Sequence, residues 1–382
     1  MSLRVEQGSG AAAAETAKQA NVKAEEALTT ATNTATALAQ DGGSNVGIES
    51  PYSFNIITSL QTFLNEGVRL KAHFGCVGDG ERVKKPNGDD DNANFIGTVE
   101  TQKLRNAFAE AIGNGFKLIP ERGTYLFDDT IIAEIGDKAL RPAVLGSGAS
   151  LVEFVQLNKS KDAIRILGNM PKRDRLDIGG FRITYPDSWG IGRPTGRGLT
   201  IENVRGLNMQ GIETFRSALG LNIIGCLDVD MYRVYSFYDY QGYKLERGSY
   251  DSFPNAINMH RCEIQASLKT GLEIVGGCNV HLHGTTTIEN VGVENGTLQA
   301  QGPDGRSIAL LLTDSGFAGG VAFSGDVLYF EANRDCNVYI NHGQRHCNYT
   351  LGRCTFNRFD DIRIMEDIVF NYAFPGDRKS VV

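Results

Sequence analysis

Several side chains capable of acid–base chemistry recur at fixed positions between residues 207 and 283. The predicted catalytic residues are three carboxylates and one imidazole: Glu213, Asp230, Glu263 and His260. Two carboxyl groups roughly 5–10 Å apart can hydrolyse a glycosidic bond, because one stays protonated as the acid while the other stays ionised. A histidine or tyrosine in the same patch can instead abstract a proton in a β-elimination. The residue types therefore indicate chemistry on a glycan, with hydrolysis and elimination both open.

Aromatic and imidazole side chains accompany these groups. The predicted substrate-binding residues are Tyr232, Tyr235, His281, His283 and Trp189. Aromatic rings can stack on sugar rings where they stand on loops or on an outer surface. Alternation along the chain assigns Tyr232 and Tyr235 to the outer surface and Phe237 to the interior. A second and weaker set of carboxylates lies further along the chain, at Asp314, Asp326 and Glu331.

A short repeated phrase indicates which elements position these residues. It opens on glycine and has apolar residues one and three positions later, as in Gly198–Ile201, Gly220–Ile223, Gly242–Leu245 and Gly271–Ile274. The first three copies open 22 residues apart, which is within the range of solenoid repeats. Apolar alternation with period two indicates that the repeating unit is a strand and not a helix.

A second strand recurs in the same units. Its apolar positions form two predicted interior columns, one of Leu207, Val229, Ile257 and Val280 and one of Met209, Met231, Met259 and Leu282. The candidate site residues alternate with these positions, so stacked strands would bring them together on the outer face. The pattern predicts a right-handed parallel β-helix over residues 126–361. Every solenoid needs a polar outer face, so a solvated surface without a site is the alternative interpretation.

Composition narrows the classes of function. The net charge of −7 opposes non-specific binding to nucleic acid or to an anionic membrane, so neither is a predicted partner. The sequence has no zinc-type spacing of cysteine and histidine and no phosphate-binding glycine loop, so no metal or cofactor is predicted. The seven cysteines are scattered singly, often among apolar positions, which favours small buried core residues.

Residues 1–43 are alanine-rich and are predicted to form a helical stalk. A 3-4 spacing typical of a coiled-coil seam runs through Ala17, Ala20, Ala24, Ala27, Ala31, Thr34 and Leu38. Alanine buries little area at such positions, so a simple linker has equal standing with the coiled coil. Residues 44–125 are predicted to be a linker and the capped start of the β-helix, and residues 362–382 a C-terminal tail.

The stretch before the repeats resembles a known family. Residues 74–80 read FGCVGDG, residues 101–112 form an amphipathic pattern, and residues 119–126 read IPERGTYL. This order resembles the start of the pectate-lyase-like β-helix proteins, a family that includes phage tailspikes, polysaccharide lyases and glycoside hydrolases. The helix predicted over 101–112 has one apolar face, suited to covering the open end of the first coil. The glycine motif with its Asp79 is therefore predicted to be structural.

The resemblance and the stalk together imply a phage tailspike. Such a protein would be a homotrimer in the virion tail, synthesised in the host cytoplasm and attached to baseplate or tail proteins through its N-terminus. Its partner would be a bacterial surface polysaccharide, capsule or O-antigen, which it binds and depolymerises, with glycosidic hydrolysis favoured. Two alternatives stay open: a non-enzymatic tail adhesin of the same shape and a polysaccharide lyase.

Overall fold

The computed structural model describes most of the chain beyond residue 66. The described residues are 67–137, 139, 141–169, 175–186, 193–249, 254–276, 278–294, 297–298, 306–313, 322–342, 348–357 and 366–372. The predicted stalk at 1–43 lies outside these ranges, as do Trp189 and Asp314.

The described part consists of short strands with two helices near its start. The helices are α1 (Leu70–Phe74) and α2 (Thr101–Asn114). The strands are β1 (Val68–Arg69), β2 (Glu81–Lys84), β3 (Asp90–Ile96), β4 (Lys117–Ile119), β5 (Gly123–Phe127), β6 (Ile131–Glu134), β7 (Ala143–Leu145), β8 (Val152–Gln156), β9 (Ile164–Leu167), β10 (Leu176–Thr184), β11 (Arg197–Glu202), β12 (Arg205–Phe215), β13 (Leu219–Ile224), β14 (Leu227–Phe237), β15 (Gln241–Glu246), β16 (Asn255–His260), β17 (Glu263–Gln265), β18 (Thr270–Val275), β19 (Cys278–His283), β20 (Thr286–Glu289), β21 (Val293–Glu294), β22 (Thr297–Leu298), β23 (Ile308–Thr313), β24 (Ala322–Gly325), β25 (Leu328–Glu331), β26 (Cys336–His342), β27 (Asn348–Leu351), β28 (Cys354–Asn357) and β29 (Glu366–Tyr372).

The strands stack into a right-handed parallel β-helix, as the repeats predict. One sheet has 16 strands and runs from β1 through β10, β12, β14 and β16 to β27, with β5, β8, β17, β20, β25 and β28 continuing its edge. We call it the large sheet. The second sheet has nine strands, from β6 through β11, β13 and β15 to β29. Each coil contributes strands to both sheets, so residues at equivalent positions form columns along the helix axis.

The interior columns are those that the sequence predicts. Leu207, Val229, Ile257 and Val280 are paired neighbours across successive strands, and all are fully buried. The methionine column beside them is buried in the same way. Burying one such side chain contributes about 1.5–3 kcal/mol, and the long columns sum many of these contributions. Four of the described cysteines are likewise buried, at Cys76, Cys226, Cys262 and Cys336.

Steric crowding between successive coils explains why a glycine opens each repeated phrase. A β-carbon at Gly242 would lie 2.5 Å from the carbonyl oxygen of Gly271 on the next coil, and one at Gly271 would lie 2.6 Å from that of Ala309. Both distances are too short for a side chain. The coils therefore approach each other closely at this corner, and only glycine permits the approach.

A buried carboxyl group forms the polar exception in the core. Asp239 is fully buried, and its Oδ1 accepts hydrogen bonds from the backbone N–H and the hydroxyl of Ser217, at 2.7 and 2.6 Å. Its Oδ2 accepts from the hydroxyls of Thr214 and Ser236, both at 2.7 Å. Burial raises the pKa of Asp239 to about 6, against the opposing effect of these donors. The network joins two coils at the corner between the sheets.

The motif at 74–80 and helix α2 close the first coil, as expected. Leu104, Phe108, Ala111 and Ile112 of the helix are all fully buried against the β-helix interior. The carboxylate of Glu100, at the start of the helix, accepts hydrogen bonds from the backbone N–H groups that follow Cys76. Asp79 accepts from the backbone N–H and hydroxyl of Thr98, and these bonds lower its pKa. The motif's acidic residue is thus engaged in structure.

Neither described helix combines the length and the apolarity needed to cross a lipid bilayer.

Candidate functional site

The candidate residues occupy four outward columns of the large sheet, which we number along the coil. Column 1 holds Asp177, Asn208, Asp230, Asn258, His281 and Ser324. Its members bond to one another: Asn258 donates to Asp230 at 3.0 Å, and His281 contacts Ser324. Asp230 is exposed and pairs with an amide on the next coil. Column 1 therefore forms a polar row whose members are hydrogen-bonded in pairs: Asn208 with Asp177, Asn258 with Asp230, and His281 with Ser324.

Column 2 carries rings. It holds Gln210, Tyr232, His260 and His283 on successive coils. The imidazoles of His260 and His283 stack with their centroids 5.0 Å apart. The guanidinium of Arg233 lies over the Tyr232 ring at 5.2 Å from its centroid. Three predicted substrate-binding or catalytic residues are thus brought together here as a partly exposed stripe of rings.

Column 3 follows a sharp corner in the coil. It holds Glu153, Arg182, Glu213, Tyr235, Glu263, Thr287 and Tyr329. Arg182 donates to a single oxygen of Glu213 from two nitrogens, at 2.8 and 2.6 Å. Its guanidinium also covers the Phe215 ring at 4.6 Å. This pairing neutralises the charge of Glu213, whereas Glu263 lies two coils further on without an arginine beside it in its column.

Column 4 runs beside column 3 and contains residues that the sequence analysis did not select. It holds Thr184, Phe215, Phe237, Gln265, Glu289, Glu331 and Asn357. Phe237 lies on the outer side, half-buried, with its ring centroid 6.0 Å from that of Tyr235. The expectation that Phe237 faces the interior is therefore wrong. The reason is Arg233, whose left-handed backbone (φ 53°) turns the chain and changes the alternation after it.

Three carboxyl groups meet where columns 3 and 4 adjoin, and we call Glu263, Glu289 and Glu331 the glutamate cluster. Glu289 pairs along the ladder with Gln265 on one side and Glu331 on the other. Burial raises the pKa of Glu289 to about 7, and the charge of Glu263, a hydrogen bond with the Glu263 carboxyl and the charge of Glu331 raise it further. Two carboxyl groups can share a hydrogen bond only if one of them keeps a proton. At neutral pH the cluster therefore retains an acidic proton on its outer surface.

The third member of the cluster has a different environment. The phenol of Tyr329 hydrogen-bonds the Glu331 carboxylate, and this bond raises the pKa of Tyr329. Asn357 in turn donates to the Tyr329 hydroxyl at 3.1 Å. The cluster thus places Glu289, whose pKa is raised to about 7, beside Glu331, which accepts a hydrogen bond from a phenol, an arrangement that acid–base catalysis can use.

An open groove of about 520 Å³ lies on the coils that precede the cluster and ends at Arg233 and Tyr235, one coil before Glu263. Its floor is glycine and its sides are polar: it is lined by Gly146, Gly148, Gly179, Gly180, Gly211, Gln210, Glu213, Arg233 and Tyr235, among others. The floor stays open because a β-carbon at Gly180 would lie 2.2 Å from the carbonyl oxygen of Gly146. The volume is within the range of small-molecule sites and suits one or two sugar rings.

The predicted site residues fall into three groups. Glu263 and Tyr235 lie at the glutamate cluster or beside it, and Tyr232, His260 and His283 form the adjoining stripe. Asp230 stands in column 1, five positions along the coil from the level of Glu263, so the two carboxylates predicted as a pair are not neighbours. Asp326 is exposed and pairs with Arg353 at 3.4 Å, which lowers its pKa.

Glu289 and Tyr329 are the site residues that the sequence analysis missed. A signal was present, because a third strand phrase repeats: Glu213–Phe215, Tyr235–Phe237, Glu263–Gln265, Thr287–Glu289 and Tyr329–Glu331. In the last two, the third position is a glutamate at an outward column. Within the described ranges, no group of three or more His, Cys, Asp or Glu side chains has an arrangement that could hold a metal ion.

No protein-family model matches the sequence. No curated protein matches it either. Among solved structures, ORF18 of Geobacillus virus E2 is similar with a TM-score of 0.48 at 14% identity, over 88% of this chain and 68% of that chain. The enzymatically active domain of tailspike protein 2 of bacteriophage CBA120 is similar with a TM-score of 0.42 at 11% identity, over 77% of this chain and 54% of that one. Pre-mature gene product 12 of bacteriophage phi29 has a TM-score of 0.40 at 13% identity, over 79% of this chain and 36% of that one.

Proposed function

We propose that this protein is a phage tailspike that binds a bacterial surface polysaccharide, capsule or O-antigen, and cleaves it by glycosidic hydrolysis. The observation that carries the enzymatic part is the glutamate cluster itself, in which Glu289 is the ladder partner of Glu331 and shares a hydrogen bond with the Glu263 carboxyl. A polar solenoid face without a function has no need to bring three carboxyl groups together, because repulsion between their ionised forms opposes folding.

The proposed reaction uses two members of the cluster. Glu289 donates its proton to the glycosidic oxygen as the bond from that oxygen to the anomeric carbon breaks. Glu331 takes a proton from a water molecule, whose oxygen forms the new bond to the anomeric carbon. Atoms balance, because Glu289 ends ionised and Glu331 ends protonated, and proton exchange with solvent restores both. Glu263 acts through its hydrogen bond to Glu289, which keeps the acidic proton in place before substrate binds.

Binding is proposed to use the surface on both sides of the cluster. The half-buried rings of Tyr235 and Phe237 offer apolar faces on which sugar rings can stack. The groove floored by glycine leaves backbone groups accessible to hydroxyls of a bound chain. A polysaccharide lying along the helix axis would contact the groove, the rings and the cluster in that order.

The placement in a virion rests on sequence alone. The resemblance of residues 74–126 to the start of tailspike β-helices, together with the alanine-rich residues 1–43, supports a homotrimer attached to the tail through its N-terminus. The broad outer faces of the β-helix offer surface for side-by-side association.

The test is incubation of the full chain with capsular and lipopolysaccharide preparations from a panel of bacterial strains. Hydrolysis gives new reducing ends without absorbance at about 235 nm, whereas elimination leaves a double bond that absorbs at this wavelength. We expect reducing ends only, and we expect the Glu289→Gln variant to release none while it still binds. Release with the absorbance would make the protein a lyase. Binding without release in the parent would make it an adhesin.

A further inference from the structure

Two arginines stand at the corner between columns 2 and 3, on adjacent coils. Arg233 follows Tyr232, and Arg261 follows His260 at the equivalent position of the next coil. The Arg233 guanidinium lies over the Tyr232 ring, and Nη1 of Arg261 is 3.5 Å from the Tyr232 hydroxyl. Neither forms an ion pair with any carboxylate in the part of the chain that the structure describes. Both side chains are exposed.

Other arginines on this face do form ion pairs with carboxylates. Arg182 is held by Glu213 at 2.6 Å, and Arg353 lies 3.4 Å from Asp326. Their charges are neutralised within the fold. The two corner guanidinium groups instead offer positive charge to solvent beside three glutamates, in a chain whose net charge is −7.

The backbone at the corner makes arginine an unexpected choice. Arg233 and Arg261 have φ values of 53° and 52°, in the left-handed region that side chains with a β-carbon adopt only at a cost. On the two preceding coils the same position is filled by Gly180 and Gly211, with φ of 73° and 60°. Glycine satisfies this corner without strain, although other corners of the described coils also hold non-glycine residues in the left-handed region, such as Arg216, Ala266 and Val327.

The corner also lies in the right place for a ligand. Arg233 lines the groove together with Tyr235, two residues further along the same strand. Arg261 precedes Glu263 by two residues, so it stands next to the glutamate cluster. Adjacent coils are about 4.8 Å apart, which lets two guanidinium groups reach one small anion. An anion between them would also relieve their mutual repulsion.

We propose that Arg233 and Arg261 bind the carboxylate of an acidic sugar, such as a uronic acid, in the polysaccharide that this face accepts. The proposal rests on the proposed function in one respect, that the groove binds a polysaccharide. Planar guanidinium groups favour carboxylates because each can donate two parallel hydrogen bonds to the two oxygens. The Tyr232 ring holds the Arg233 guanidinium in place by its cation–π contact. The subsite would also offset the repulsion between an anionic chain and the glutamate cluster.

The experiment measures binding of the full chain to alginate, polygalacturonate, hyaluronan, polysialic acid and the acidic capsules of the strain panel. Each is compared with its own carboxyl-reduced form, in which the carboxylate has become a primary alcohol. The Arg233→Gly and Arg261→Gly variants remove the guanidinium groups and relax the strained corner. Arg205→Gln removes one positive charge elsewhere on the large sheet, from an arginine that is paired with Asp228, and is the control.

We expect the parent to bind at least one acidic polysaccharide and to lose about tenfold or more in affinity when its carboxyl groups are reduced. Each glycine variant should lose a similar factor while its melting temperature stays equal or rises, because glycine fits the left-handed corner. The control should bind as the parent does. A purely structural role of the arginines would instead lower the melting temperature of the variants.

Three results would overturn the acidic-sugar subsite: binding that survives carboxyl reduction, unchanged binding by both glycine variants, or failure of the parent to bind any acidic polysaccharide. None of these outcomes depends on cleavage. Carboxylate-dependent binding without release of reducing ends would leave the subsite standing and contradict hydrolysis alone.

Discussion

The burial of Asp239 predicts that the free energy of unfolding depends on pH, and the raised pKa of its carboxyl gives the size of the effect. Its carboxyl has a pKa of about 6 in the folded protein, against 3.8 as the ordinary value. Because the folded pKa is raised, the protonated form favours folding, and this contribution is fully present below about pH 4 and is lost as the pH rises to about 6. The shift corresponds to about 3 kcal/mol at 1.36 kcal/mol per pH unit.

The perturbation is Asp239→Asn, which keeps the shape of the protonated carboxyl but cannot ionise. Its amide oxygen can still accept from Ser217, and its amide group can donate to the hydroxyls of Thr214 and Ser236. We therefore expect the stability difference between parent and variant to change by about 3 kcal/mol between pH 4 and pH 7, in favour of the variant at the higher pH.

The assay is denaturant unfolding of both proteins, followed by circular dichroism at pH 4, 5, 6 and 7. Comparing the two at each pH removes the effects of all other titrating groups. Asp228→Asn, at an exposed carboxylate, is the control and should show no comparable change. A difference between Asp239→Asn and the parent that is the same at every pH would refute the reasoning, since it would mean that burial does not raise this pKa.

Two further predictions concern the core and the assembly. Val229→Asp places an uncompensated charge in a fully buried column and should destabilise the protein by about 3–5 kcal/mol. Gln210→Asp, at an exposed position, should change the stability little. Equal unfolding midpoints for the two variants would contradict the assignment of Val229 to the interior. Sedimentation equilibrium should give about three times the 41.5 kDa of one chain, and a monomer at micromolar concentration would contradict the proposed tailspike.

The regular part of the fold was predictable because its physical cause is local and repeated. Period-two alternation at Leu207 and Met209 recurs at Val229 and Met231, and the copies lie 22 residues apart, so the columns could be aligned from spacing alone. The cap was predictable for a similar reason. Its helix has one apolar face, and the open end of a β-helix must be covered.

The glutamate cluster was not predictable in the same way, because it depends on how insertions fall at the corners. The corner at Gly284 and Thr285 contains one residue more than the corner of the preceding coil. Glu289 therefore stands one position later than the regular spacing predicts, although it is the ladder partner of Gln265. The left-handed Arg233 likewise reverses the alternation that would have assigned Phe237 to the interior. Both effects arise from backbone conformation at single residues, which neither spacing nor hydropathy records. Asp230 and Glu263 were paired in the prediction because the sequence does not reveal the corner that separates their two columns.

The central claim is that Glu289 supplies the proton for cleavage, and the most direct measurement is the rate of glycan release by Glu289→Gln and by the parent from pH 5 to 9. The parent rate should fall as the pH rises through about 7, because the reaction needs the protonated carboxyl. Glu289→Gln should lose about 10²–10⁴-fold at every pH while it binds glycan and unfolds as the parent does. Glu246→Gln on the second sheet should keep the parent rate. Glycan release by Glu289→Gln at the parent rate, or a parent rate that does not fall above about pH 7, would contradict the account.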